Sequence, residues 1–452
     1  MKSINPATME LIKTYQTHTD QEAQQIAHVT HLAWQSWKQT SFEERKRHML
    51  RLARLLREQQ NHLATLITLE MGKVIKESIA EVLKCAWVCE YYAEQAETML
   101  EDEFFEGDGR QAFASFEPLG TVLAVMPWNF PLWQVFRFAA PGLMAGNACL
   151  LKHASNVPGC ALEIESLFQR AGFPTNLFRA LLISGSQVGK VLECPTVQAV
   201  TLTGSEWAGS QVASKAGLEI KKSLLELGGS DAYMVFDDAD LEICTQTAVI
   251  ARMMNAGQSC IAAKRFIIQD AIYDRFRDIM YSQIQNLTVG DPMDHHTQIG
   301  PLARPDLRDE LHNQVIQSQK MGAKVLLGGQ PVPGTACFYQ PTLMDDITSD
   351  MPVFKEETFG PVLPLIRFKT EQEAIDLANR SSFGLGGSLW TADTDRGIRL
   401  ARQMETGAVF INGMTKSDPR LPFGGVGISG YGRELSYYGI KEFVNIKTIW
   451  LA

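Results

Sequence analysis

At 452 residues, with 45% apolar and 21% charged residues, the chain is long enough for two or three domains with substantial cores and has the composition of a soluble globular protein. A net charge of −9 argues against nucleic acid or an anionic membrane as its main partner. No apolar run approaches the ~20 residues needed to span a bilayer, and the opening MKSINPATMELIKTYQ lacks the apolar core and cleavage site of a secretory signal, so a cytoplasmic protein is expected.

The first hundred residues read as helices. Met49, Leu52, Leu56, Leu63 and Ile67 recur at helical spacing. Arg45, Lys46, Arg51, Arg54 and Arg57 between them read as a solvated basic face rather than a phosphate site. From about residue 111 short β-like runs alternate with helical ones: FASFEPLG, TVLAVMPWNFP, NACLLKHASN, FRALLISGS, VQAVTLTGS and KKSLLELGG. Strands alternating with helices imply a doubly wound parallel sheet. The pattern restarts with DAYMVFDD, AAKRFIIQ, AKVLLGG, PVLPLIRF and TGAVFING, which predicts a second α/β domain over about 228–425.

Eight cysteines are scattered along the chain, and the only close pair, Cys85 and Cys89, fits one helix face better than a zinc site. No metal site is expected, and in a reducing compartment the thiols stay free. Three glycine-rich stretches compete as phosphate sites. Gly425, Gly427 and Gly430 form a G-x-G-x-x-G without a following βαβ unit, and GSQVGKV from Gly185 is one residue short of a P-loop. TLTGS fits better, because a strand there runs into Gly204 and Ser205 at the start of a helix, a geometry suited to a diphosphate.

NAGQSC ends in Cys260, which taken alone could be a core thiol or a nucleophile. It is accompanied, in order, by PWNFP at 127–131, LELGG at 225–229 and EETFGP at 356–361. This set resembles the NAD(P)-dependent aldehyde dehydrogenase superfamily, and the resemblance extends from INPAT near the start to FVNIKTIW near the end. It implies an α/β aldehyde dehydrogenase-like fold: a Rossmann-type coenzyme domain over 1–104 and 120–227, a catalytic domain over 228–425, and a small β oligomerisation element over 105–119 and 436–452. It also implies a homodimer or homotetramer.

An aldehyde carbon cannot expel hydride unaided, whereas addition of a thiolate creates an oxyanion whose collapse can. By resemblance, Cys260 is the nucleophile, Asn129 and the Cys260 amide hold the oxyanion, and Glu226 activates the water that hydrolyses the thioester. Losing one oxyanion donor typically costs about 2.7–4 kcal/mol. Glu226, flanked by Leu225 and Leu227, is expected to be poorly solvated, with a raised pKa. The resemblance further places Pro127, Trp128, Gly185, Thr203, Gly204, Ser205 and Leu227 along the cofactor cleft, Glu357 on the nicotinamide ribose, Phe359 near the nicotinamide ring and Lys152 on the adenosine ribose. Many NAD-preferring members carry a glutamate three residues after that lysine. Here Ser155 stands there, so NADP is expected to be accepted and slightly favoured over NAD.

Arg137 is one charge among Trp133, Phe136 and Phe138, either structurally paired or facing the substrate. The match looks closest to members of the shorter bacterial type that oxidise succinate semialdehyde, in which this arginine and a serine at the place of Ser417 bind the substrate carboxylate; Lys416 and Arg420 add positive charge nearby. The alternatives are a broad-specificity or glutarate-semialdehyde enzyme and, more remotely, a catalytically silent relative. A coenzyme A-acylating member is disfavoured by Glu226.

Overall fold

The computed structural model describes residues 1–334 and 337–452. Its first hundred residues are built mainly from the helices Asp20–Trp37, Phe42–Glu58, Gln60–Met71 and Ile75–Met99. Thr19 and Glu22 close the first in a reciprocal capping box. Met49, Leu52, Leu56, Leu63 and Ile67 are fully buried, as their spacing predicts. Arg45 departs from the expected solvated face: it is buried, and it donates to the carbonyls of Met144 (3.1 Å) and Lys38 (3.1 Å), tying this helix to the end of a distant one. Cys85 and Cys89 lie on one buried face of Ile75–Met99, where burial holds both thiols well above their ordinary pKa.

A six-stranded sheet runs, edge to edge, through Gly430–Tyr431, Lys222–Glu226, Val197–Thr203, Thr121–Met126, Ala148–His153 and Phe178–Ala180. All neighbours are parallel except the first pair. The carboxyl ends of the parallel strands therefore open on one edge, where α/β sheets bind ligands. The antiparallel edge strand contains Gly430, one of the glycines of the rejected G-x-G-x-x-G. Its φ is +107°, and a Cβ there would sit 2.1 Å from the Leu225 carbonyl oxygen, so glycine is required by close backbone approach and not by a phosphate.

The second sheet has seven strands in the order Lys324–Leu327, Thr342–Asp345, Val362–Phe368, Ala263–Gln269, Asp231–Val235, Gly387–Trp390 and Val409–Ile411. It is parallel apart from its first pair. Its central strands are buried on both faces, as helix-covered parallel sheets require. A third sheet pairs Val444–Leu451 with Gln111–Pro118 and the latter with Glu103–Phe105, all antiparallel. No helix among the described residues is long and apolar enough to cross a membrane.

One buried carboxylate fixes PWNFP. Glu81 accepts from the Leu132 and Trp133 amides (2.8 and 3.0 Å) at the start of helix Trp133–Met144, every residue of which is buried. Lys73 pairs with Glu81 and lies 3.7 Å from the centroid of the Phe130 ring. Replacing Lys73 leaves a buried carboxylate without its cation, a defect that costs about 3–5 kcal/mol. Lys73→Met is thus expected to lower the thermal unfolding midpoint sharply. Lys73→Met with Glu81→Gln should recover most of the loss, because glutamine still accepts both amides; a double variant no more stable than the single one would contradict this account.

Candidate active site

Between helix Leu241–Met253 and strand Ala263–Gln269 the chain makes an abrupt reversal, with Asn255, Ala256 and Gly257 at φ 53°, 52° and 77°. Left-handed backbone is costly for non-glycine residues and persists only where the surroundings hold it. Here the Asn255 amide donates to Glu77 (2.7 Å) and its side chain to the carbonyls of Asn129 (2.8 Å) and Gln258 (3.1 Å). The Gln258 amide group donates to the Asn255 carbonyl (3.0 Å) and accepts from the Ala303 N–H (2.9 Å). A Cβ on Gly257 would lie 2.3 Å from the Gly360 carbonyl oxygen. Fully buried Lys264 donates to the carbonyls of Ser259 (2.8 Å) and Cys260 (2.7 Å), and pairs with Glu357 at 3.1 Å.

This loop presents Cys260 where two cavities meet: a cleft of about 670 Å³ and a pocket of about 100 Å³ share it as a wall residue. Burial pushes the Cys260 thiol up to about 12, with Lys264 and Arg137 pulling it down and Glu357 and Glu226 pushing it further up. The resting group is thus a thiol, and thiolate forms only by giving its proton to a base. Asn129 is buried on the cleft wall and donates one N–H to the Gln258 carbonyl (3.1 Å), which leaves its second N–H for a ligand.

Glu226 ends strand Lys222–Glu226. It is 1% exposed, and neither carboxyl oxygen has a hydrogen-bond partner among the described residues. Burial raises its pKa well above the usual carboxylate range, opposed chiefly by Arg137. Its side chain faces neither cavity. Arg137 realises both alternatives open to it: it lines the smaller pocket, and it is ion-paired with buried Glu434. It also donates to Thr203 (3.2 Å) and lies 4.6 Å from the Phe423 ring centroid. Ser417 and Lys416 line the same pocket. Arg420 does not, being held by both oxygens of Asp418 (2.9 and 2.8 Å).

The large cleft opens at the carboxyl ends of the first sheet's strands and brings together Pro127, Trp128, Thr203, Gly204, Ser205, Leu227, Glu357 and Phe359. The Trp128 and Phe359 rings meet edge-on, centroids 5.7 Å apart. Ser205 caps helix Glu206–Leu218, so unpaired backbone N–H groups point into the cleft. Lys152, Ser155 and Gly185 lie outside the cleft lining: Lys152 near the end of strand Ala148–His153, Ser155 in the exposed turn after it, and Gly185 at the start of a single helical turn, 185–187. Burial lowers the pKa of Lys152, and no carboxylate pairs with it among the described residues. A helix N-terminus, an uncompensated lysine and a long cleft at strand ends fit an anionic dinucleotide.

Sequence reading missed Lys264, Glu434, Glu77 and Lys84. Lys84, on helix Ile75–Met99, lines the smaller pocket and donates to Ser417 at 2.8 Å across 333 residues of chain. Only Lys264 carried a local signal, its position four residues after the cysteine.

The aldehyde dehydrogenase family model matches residues 1–449, and the chain belongs to that family. A probable succinate-semialdehyde dehydrogenase (NADP+) of Synechocystis is 49% identical over 450 residues, covering 100% of this chain and 99% of the relative. A succinate-semialdehyde dehydrogenase (NADP+) of Mycobacterium tuberculosis is 49% identical over 453 residues, with the same coverage. The crystal structure of succinic semialdehyde dehydrogenase from Streptococcus pyogenes in complex with NADP+ superposes with a TM-score of 0.97 at 38% identity, covering 100% of this chain and 99% of that one.

The elevated Cys260 pKa sets the pH dependence of alkylation. In the cofactor-free protein, the rate of Cys260 modification by iodoacetamide is expected to rise about tenfold per pH unit from 7 to 10, because thiolate is a growing minority throughout that range. Lys264→Met should slow it at every pH. A plateau below pH 9 would show a thiol already ionised and contradict the burial argument.

Proposed function

We propose that the protein oxidises succinate semialdehyde to succinate with NADP+, accepting NAD+ less well. The observation that carries this reading is Cys260 at the junction of a dinucleotide-sized cleft and a small pocket whose wall holds buried cationic groups. The names borne by the 49% identical relatives and by the Streptococcus pyogenes structure support it.

The aldehyde enters the smaller pocket, the Cys260 thiol passes its proton to Glu226 and onward to solvent, and the sulfur bonds to the carbonyl carbon as the C=O π pair moves onto oxygen. The free N–H of Asn129 and the Cys260 amide stabilise the oxyanion. The bound nicotinamide supplies the acceptor for the hydride. Glu226, which stands behind the cavity walls within electrostatic reach of Cys260 and whose proton affinity is raised by burial, takes the proton of the water that cleaves the Cys260 thioester. Glu357 would hold the nicotinamide ribose, itself fixed by Lys264 and by the Gly229 amide (3.0 Å). Lys152 and Ser155 would receive the adenosine 2′-phosphate, which no acidic side chain at 155 repels.

The division into coenzyme, catalytic and small β units is part of the same reading. So is homo-oligomerisation, supported by Phe104, Phe105, Ile446 and Trp450, which leave the three-stranded sheet with exposed apolar side chains. Cysteines that are all free suit a reducing cytoplasm.

Initial rates of reduced-cofactor formation with succinic semialdehyde and butyraldehyde test the substrate. At least about tenfold higher kcat/KM for the semialdehyde is expected, and equal values would leave a general aldehyde dehydrogenase. Ser155→Glu tests the cofactor assignment. It should lower kcat/KM for NADP+ by about tenfold or more while sparing NAD+, since a carboxylate there repels the 2′-phosphate; an unchanged NADP+ to NAD+ ratio would remove Ser155 from that site.

A further inference from the structure

The smaller pocket has three cations on its wall: Arg137, Lys416 and Lys84. Their circumstances differ. Arg137 already has a buried counter-ion in Glu434, and Lys416 is solvent-exposed. Lys84 has no carboxylate within 4.0 Å among the described residues. Its ammonium donates to Ser417 Oγ at 2.8 Å and lies 4.0 Å from the centroid of the Trp133 ring, which leaves further N–H bonds to satisfy. The carboxylates that act on it most strongly, Glu81 and Asp418, are committed elsewhere, Glu81 to Lys73 and Asp418 to Arg420. An ammonium in an apolar pocket without a counter-ion is unfavourable, and an anionic ligand relieves it.

We propose that Lys84, with Ser417 beside it, is the receptor for the carboxylate at the remote end of the aldehyde substrate. The inference rests on the carboxylated-aldehyde reading given above and moves the chief charge contact from Arg137 to a residue some fifty positions earlier. Cys260 and Lys84 share one pocket, so a short chain carrying an aldehyde at one end and a carboxylate at the other meets the sulfur and the ammonium together. Arg137, neutralised by Glu434, shapes the wall. Burial beside Arg137 lowers the Lys84 pKa to about 8, in keeping with a cation that lacks a partner until the carboxylate arrives.

The test compares kcat and KM for succinic semialdehyde and butyraldehyde in the wild-type protein and in Lys84→Met, with NADP+ saturating. The expected result is a semialdehyde preference in the wild type that falls by about 10- to 100-fold in Lys84→Met, mainly through KM for the semialdehyde. A wild type with no preference removes the carboxylated substrate, and this proposal with it, before any variant is read. A wild-type preference that survives in Lys84→Met overturns the proposal alone and returns the carboxylate to Arg137. If Lys84→Met loses both aldehydes, Lys84→Gln, which keeps a donor for Ser417, is read by the same ratio. Loss of both aldehydes in each variant assigns Lys84 to structure and overturns the proposal.

Discussion

The site depends on one constrained reversal of the backbone, the left-handed run from Asn255 to Gly257. A helix that simply continued past Met253 would carry Cys260 away from both cavities. The reversal costs energy at Asn255 and Ala256 and is held from outside by Glu77, Asn129 and Gln258, each through hydrogen bonds to the loop. Gly257 adds a steric condition, because only hydrogen fits against the Gly360 carbonyl. EETFGP is therefore a structural abutment of the Cys260 loop as well as a wall of the large cleft. Its Glu357 reaches the loop a second time through Lys264.

Around the sulfur, buried charge is arranged so that no carboxylate near it is easily ionised without a cation. Glu434 has Arg137, Glu357 has Lys264, and Glu226 has neither a hydrogen bond nor a close ion pair. Glu226 is consequently the carboxyl group that burial, opposed chiefly by Arg137, holds well above the usual carboxylate range. The same reasoning applied to cations singles out Lys84 and Lys152. Each lacks a carboxylate partner among the described residues, Lys84 on the wall of the smaller pocket and Lys152 near the end of strand Ala148–His153.

What could be read in the sequence follows from how each part is built. Cys260, Asn129 and Glu357 sit in short contiguous stretches that the fold brings to the wall of one cleft, and Glu226 in a stretch whose next residues, Leu227 and Gly228, line it, so each motif marks a place on the cleft. The strand-helix alternation was equally plain because both sheets are mostly parallel and their strands are continuous apolar runs. Thr342–Asp345 and Gly387–Trp390 escaped, being four residues each and interrupted by polar or glycine positions. Arg45 was misjudged because its partners are carbonyls of Met144 and Lys38, invisible to helical periodicity. Lys84 looked like any lysine on a helix, and its meaning exists only through Ser417, brought to it by the tertiary fold.

The two cavities that meet at Cys260 are built from different materials. One wall of the large cleft is made from the ends of parallel strands and a helix N-terminus, geometry that follows from the sheet itself, and the facing wall from later segments such as 304–314 and 355–359. The smaller pocket takes its cationic and hydroxyl groups from helix Ile75–Met99, helix Trp133–Met144 and the segment 414–417. Changes there can alter which aldehyde is bound without disturbing the strand ends, provided that Glu81 still holds the start of the second helix. That proviso links specificity to stability, since helix Ile75–Met99 carries both Glu81, which fixes PWNFP, and Lys84, one turn further on, at the wall of the pocket.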